Sequence, residues 1–422
     1  MNGTGHTTLG IPDEAPGYAA TLTAAGLLFL AATGWFVYAL LSEPSAQSWG
    51  YLVVNFLYVI GVSQFGIAFC ALMRLCGAKW SRTFYPIGAI TTLAFCPFAI
   101  IGFLFIYACG SEHILYWMEA SENTHMSPWL DSKFLLYRNL GAQVLFYGIA
   151  VYYAALGLAP EIAEGELIKG PGWRQALLRW ISSFRKGRAD ALIEDRLYRW
   201  SPIVLIAAVL ANTLIAWDFS MMLVAHYHST VFPLYFILGN MYGGAGLILI
   251  ISIIMMRFIP VSEHFKTTHL RSMAILMTGF LLLWLYMFWA QFFVSWYGNL
   301  PNEYGVLSVQ MYGHYAPVFW AMMSCNTLIP FAALLFVKIK TTWWMMIGVA
   351  SVINAGIWLN RYLLVMPGLS KDHQFFGSFT EISMTVGLFA GFLTLLLLFF
   401  NAVPVVSTWE KSDPADHGRI WK

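Results

Sequence analysis

The sequence predicts an all-α polytopic membrane protein with ten transmembrane helices, on three observations. Of its 422 residues, 59% are hydrophobic and only 10% charged, with a mean hydropathy of +0.66. That balance belongs to multi-spanning membrane proteins and excludes an ordinary soluble enzyme. A helix crossing the hydrocarbon core needs about 20 mostly apolar residues, and ten runs qualify: 18–41, 50–73, 84–108, 134–158, 200–217, 230–256, 272–297, 313–337, 341–366 and 378–401. Finally, the basic residues alternate between connections in step with those runs.

In chain order, the first run follows a stretch without Lys or Arg and is too long for a signal-peptide core, so no cleavable leader is expected. The second and third are separated by a basic turn holding Arg74, Lys79 and Arg82. The fourth leads into the longest connection, 159–199, with eight basic residues from Lys169 to Arg199. Within it, WRQALLRWISSFRKGR places Trp173, Leu177, Trp180, Ile181 and Phe184 on one helical stripe. That spacing predicts an amphipathic helix lying on the inner leaflet by this face. The fifth run, 200–217, is the shortest, and a hairpin at 218–229 joins it to the sixth. Arg257, Lys266 and Arg271 precede the seventh run, Lys338 and Lys340 the ninth, and Lys411, Arg419 and Lys422 follow the tenth.

One alternating set of connections therefore holds 19 of the 23 basic residues, and the opposite set only Lys133 and Lys371. The positive-inside rule then puts both termini in the cytoplasm. The outer connections carry acids instead: Glu112, Glu119, Glu122, Asp131, Glu303 and Asp372.

Ionisable groups near the membrane are costly, about 2.5–3.5 kcal/mol each at the centre even on the lenient scale. Here Arg138 and Arg361 lie inside spans and Asp218 closes the fifth. His226 and His228 precede the sixth span, Glu303 follows the seventh, His314 opens the eighth and Glu381 the tenth. All eight fall in the outer third or its mouth. Asn139, Gln143, Gln291, Tyr297 and Asn299 support them, and Gln64, Asn212, Asn240, Asn354 and Asn360 carry polarity further inward. Taken singly, each is explained by a short polar loop or by a snorkelling arginine. As a set they predict acids paired with arginines, and protons handed on through histidine, whose ordinary pKa is about 6.5.

The same residues exclude other chemistry. No histidine lies deep in a span, so axial haem ligation is not expected. The five cysteines are scattered singly without metal-site spacing, so no metal site is expected. No phosphate loop or dinucleotide fingerprint is present. Electron carriers for any redox role would belong to other subunits.

The stretch WDFSMMLVAHYHSTVFPLYFILGN resembles a segment of the F-type membrane subunits of bacterial alternative complex III. Asp218, Ser220, Met221, Leu223, His226, Ser229, Thr230 and Phe232 carry the likeness. A second likeness lies in MFWAQFFVSWYGNLPNE, through Gln291, Trp296, Tyr297, Gly298, Asn299, Pro301 and Glu303. Val224-Ala225 stands where that family has an acid-proline pair, and His228 is an extra histidine. The resemblance implies an NrfD-like fold, with spans 2–5 and 6–9 as two four-helix bundles and spans 1 and 10 peripheral. It divides the chain into 1–49, a first bundle at 50–217, the hairpin 218–229, a second bundle at 230–366, and a final span with its tail at 367–422. It also implies a quinol:electron-acceptor oxidoreductase in a bacterial inner membrane. Its expected partners are an iron–sulfur or molybdopterin-like peripheral subunit, multihaem cytochrome c subunits and a sister NrfD-like membrane subunit.

On this reading the chain is a membrane subunit of a quinol-oxidising electron-transfer complex. It contributes an outer-side proton path, a candidate quinone pocket and no metal cofactor of its own. The alternatives are a structural anchor for peripheral redox subunits and an independent solute transporter. Scarce midplane charge weighs against the transporter, whose binding sites lie near the midplane.

Overall fold

The computed structural model describes residues 15–42, 45–120, 128–162, 171–185, 190–224, 227–258, 266–371, 373–403 and 405. Among these described residues, ten helices are long and apolar enough to cross a membrane. Spans 1 to 5 are Tyr18–Ser42, Ala46–Leu75, Lys79–Ile114, Ser132–Glu161 and Ala191–Leu223. Spans 6 to 10 are Phe232–Met256, Thr267–Gly298, Ala316–Leu335, Trp343–Leu369 and Phe379–Ala402. Each predicted run falls on one of them. The fifth, shortest in the sequence, is 33 residues long because its helix continues through polar positions that a hydropathy window discards. Among those positions Glu194 is buried against Arg74 of span 2, whose guanidinium also lies 4.9 Å from the Tyr85 ring centroid.

Local chemistry sets the helix ends. Ser45, Asp131 and Ser378 cap spans 2, 4 and 10, each side chain accepting a backbone N–H of the first turn. Span 7 stops at Asn299, whose φ of 47° is the left-handed cap that asparagine tolerates. Pro301 then opens the short helix Pro301–Tyr312 near its first position, where the missing N–H costs nothing. The motif WYGNLP is thus a stop followed by a start.

Span 2 is the hub. It is buried along nearly its whole length and packs against spans 3, 5, 6, 9 and 10. Spans 3 and 4 and spans 4 and 5 are in contact, as are span 6 with 7 and 9, and span 8 with 9. Span 1 buries only Tyr18, Ala25, Ala32 and Phe36, a single seam facing span 10. Span 10 answers with Gly387 and Gly391 one turn apart. A Cβ on the first would collide with the Ala32 side chain, and on the second it would fall 2.6 Å from Phe29. Small residues at this spacing let two membrane helices approach closely, where dispersion replaces the missing hydrophobic drive.

The connection after span 4 carries the apolar stripe read from the sequence. A helix does form, at Gly172–Ser182, but it buries Leu178 and Ile181 against the end of span 4. Trp173 and Trp180 of the predicted stripe remain 50% and 44% exposed. Ile181 and Phe184 of the same stripe pack on the protein, the Phe184 ring meeting Tyr152 at 5.9 Å, so the stripe divides between the bundle and an exposed face that holds both tryptophans.

Candidate functional site

The expensive residues gather at the end of the molecule where span 5 closes on Asp218. Asp218 is fully buried. Arg138 of span 4 grips it with two hydrogen bonds, Nε to Oδ2 at 2.8 Å and Nη2 to Oδ1 at 2.6 Å, and Asn139 Nδ2 donates to Oδ2 as well. The third arm of the guanidinium donates to the Trp129 carbonyl at 2.6 Å, and the Trp129 ring lies 4.1 Å away. The planar fork matches the carboxylate. Every partner comes from span 4, its leading loop or span 5, so the group acts as a clasp between two helices.

Arg361 of span 9 is held differently. It is fully buried, and among the described residues no carboxylate pairs with it. Its Nη2 donates to the Phe236 carbonyl and to Asn240 Oδ1, both at 2.8 Å, and Nη1 donates to Asn360 Oδ1 at 3.1 Å. The Phe236 ring lies 3.7 Å from its charge centre. Gly239 makes the room, since a Cβ there would stand 2.7 Å from Nη2.

Because a guanidinium can only donate, it turns the oxygen of each neighbouring amide toward itself. The orientation then propagates. Asn240 Nδ2 donates to Asn212 Oδ1 at 2.8 Å, Asn212 Nδ2 to Gln64 Oε1 at 2.8 Å, and Gln64 Nε2 to Gln143 Oε1 at 2.6 Å. These aligned dipoles run from span 9 through spans 6, 5 and 2 to span 4 and spread the positive charge. Amide N–H groups do not exchange protons as hydroxyls or carboxylates do, so this string is electrostatic support and not a proton wire.

On the other side of Arg361 the relay is short. Asn360 Nδ2 donates to the Tyr235 hydroxyl oxygen, and Tyr235 and Asn360 together form the inner wall of a cavity. Its remaining lining is largely apolar, Phe288, Phe292, Leu363 and Leu364 among it, with Glu303, Gln291, Gln310, Tyr227, Ser220 and Ser295 as polar points. Counting about 1.5 Å per helical residue, Tyr235, Gln291 and Asn360 lie roughly 5–14 Å below their helix ends. Gln291 stands at the partition. Its Nε2 donates to the Tyr227 hydroxyl at 2.7 Å and its Oε1 accepts from Ser229 Oγ at 2.5 Å. Gln291, Ser295 and Glu303 also line a wider groove bounded by Trp217, His228 and Val294. Burial pushes the Tyr227 hydroxyl well above its ordinary pKa, with Tyr235 and Glu303 adding to the rise.

The structure distributes the sequence candidates as follows. Arg138, Asn139 and Asp218 form the clasp; Gln143 ends the amide string; Gln291 and Glu303 line the cavity, with Arg361 behind its wall. His228 lines only the outer groove. Glu381, buried, lies elsewhere and pairs with His373, Oε2 to Nε2 at 3.1 Å, beside Tyr51. His314 is exposed and Tyr297 is 76% exposed, while Asn299 is the helix cap. His226 lies outside the described residues. Tyr227, Tyr235 and His373 escaped sequence reading. Two are tyrosines among 21, and nothing in spacing sets them apart. His373 was legible only as another polar residue in an outer loop.

A family model described as polysulphide reductase, NrfD, matches residues 40–371. A search of curated proteins gives no match.

Proposed function

The chain belongs to the NrfD family, and we propose that it is the membrane subunit of a quinol-oxidising complex, binding the quinol ring in the cavity beside Glu303. NrfD-family subunits are membrane parts of redox complexes and generally partner with peripheral redox subunits. The finer reading rests on one observation: an apolar, aromatic-walled cavity within the membrane-spanning part carries a small set of convergent polar groups, Glu303, Tyr227, Gln291 and Tyr235. A mostly apolar pocket with few well-placed polar groups is the usual form of a small-molecule site.

Oxidising a quinol breaks two O–H bonds and yields two protons and two electrons. The electrons pass to metal centres of the peripheral subunits, iron–sulfur clusters or haem c. Glu303 is the carboxylate placed to take a proton, since it borders both the inner cavity and the groove where His228 sits. Release on that side agrees with the basic-residue bias, from which the positive-inside rule reads the opposite end and both termini as cytoplasmic, and a bacterial inner membrane is the setting that the resemblance implies. Asp218, bound into its clasp, serves this route by holding spans 4 and 5 under the hairpin that carries Tyr227 and His228. An alternative complex III assembly, with a sister NrfD-like subunit, is the setting that the two sequence motifs support.

The test is quinol-dependent reduction of the natural acceptor by the intact complex, with assembly checked on native gels and partners identified by mass spectrometry. Glu303→Gln should lower turnover at least about tenfold in fully assembled complex, a typical general-base contribution being 10²–10⁴. Unchanged turnover would overturn the assignment. Loss of peripheral subunits from the variant would point to a purely anchoring role.

A further inference from the structure

We infer that Arg361, Asn360 and Tyr235 form a polarised donor relay that holds the ring oxygen of the cavity's ligand in its deprotonated, anionic form. This rests on the cavity being the ring-binding site. The argument starts from a charge without a counter-charge. Arg361 is fully buried among neutral partners, the Phe236 carbonyl, the amides of Asn240 and Asn360 and the Phe236 ring, and its Nε has no partner among the described residues. A buried cation is expensive unless an anion answers it. The described residues supply none, so a negative group arriving in the adjoining cavity would.

The hydrogen bonds say where that group sits. Arg361 fixes the Asn360 amide with its oxygen inward, so Nδ2 points to Tyr235 and donates to the hydroxyl oxygen. Tyr235 is therefore an acceptor toward the protein, and its own O–H is left to donate. Among the described residues no protein group accepts from it, and the side chain lines the cavity. Donors in series strengthen one another in a low-dielectric interior. The cavity thus presents a hydroxyl donor backed through one amide by a full positive charge. Such a donor favours an oxyanion over a neutral hydroxyl.

The other titratable groups facing the cavity are Glu303, from the helix Pro301–Tyr312, and Tyr227, from the hairpin; His228 borders the outer groove only. The proton step is balanced without a further reagent. The ring O–H bond breaks, its proton forms an O–H bond on the Glu303 carboxylate, and the ring oxygen keeps the electron pair and accepts from Tyr235. Arg361 and Asn360 are positioning residues, since neither needs to touch the ring.

The experiment uses the full chain in lipid nanodiscs and an alkyl-tailed nitrophenol, whose ring hydroxyl titrates near neutral pH and whose anion absorbs visible light. The bound fraction is defined by competition with a short-chain quinone. In the wild type the bound probe should titrate about one pH unit below its free value, which is tenfold tighter binding of the anion than of the neutral phenol. Tyr235→Phe, which leaves the cation and its amides in place, should abolish the shift, and Arg361→Gln should do the same where it folds. A probe that binds competitively but titrates at its free value, or whose shift survives Tyr235→Phe, overturns the relay and leaves the cavity reading standing. Absence of competitive binding overturns both.

Discussion

Asp218→Asn tests the clasp between spans 4 and 5. The carboxylate is fully buried and accepts three N–H groups, two from Arg138 and one from Asn139. Asparagine keeps the shape but removes the charge, and its NH2 must face a donor of the guanidinium. Arg138, only 9% exposed, cannot swing out to water. It keeps the Trp129 carbonyl and the cation–π contact at 4.1 Å, the latter contributing about 0.5–2 kcal/mol. Removing one partner of a buried pair generally costs about 3–5 kcal/mol, because the other charge is stranded, whereas removing both is often neutral. Asp218→Asn and Arg138→Met should therefore each destabilise by about 3–5 kcal/mol, and the double variant should lie within about 2 kcal/mol of wild type. The assay is equilibrium unfolding in mixed micelles as a double-mutant cycle, which isolates the pairwise term. A wild-type unfolding curve for Asp218→Asn, or simple additivity in the double variant, would refute the clasp. Wild-type stability combined with lost turnover would instead make Asp218 a proton carrier.

At the opposite end, Glu194→Gln takes a buried carboxylate from Arg74, which keeps its place over the Tyr85 ring and beside Tyr153. It should cost about 1.5–3 kcal/mol in the same assay, as a hydrogen bond to a charged group does. Asp195→Ala, which breaks a pair exposed at 65% and 47%, should cost less than about 0.5 kcal/mol. Gly239→Ala drives a methyl to 2.7 Å from the Arg361 guanidinium and should destabilise by about 1–3 kcal/mol, as overpacking does; an unchanged unfolding midpoint would show that Arg361 has room to move. The raised Tyr227 pKa means the folded state keeps a proton that the unfolded chain loses near pH 10. Stability from this group is therefore complete below that pH and lost as pH climbs above it. Thermal unfolding of wild type and Tyr227→Phe between pH 8 and 10.5 should show a steeper alkaline decline in the wild type, and parallel curves would count against it.

The sequence by itself determined the class of fold and the number and place of the spans. Whether a segment can cross a membrane depends on its own length and apolarity, which are local, and the ten helices fall on the ten runs. It also marked where polarity is concentrated, because any ionisable or amide side chain in an apolar run stands out. It could not say what those groups do to one another. Arg138 and Arg361 read alike as arginines near span ends, yet one is 80 positions from the carboxylate that pairs with it and the other sits among amides and an aromatic ring, 121 positions from Asn240. That difference depends on which helices are neighbours and how each is rotated. Packing decides both, through contacts such as Gly239 under Arg361, and no periodicity records them. Tyr235 shows the limit most plainly: its place in the relay comes from an amide on span 9 that a cation has turned, and only the assembled bundle brings the three together.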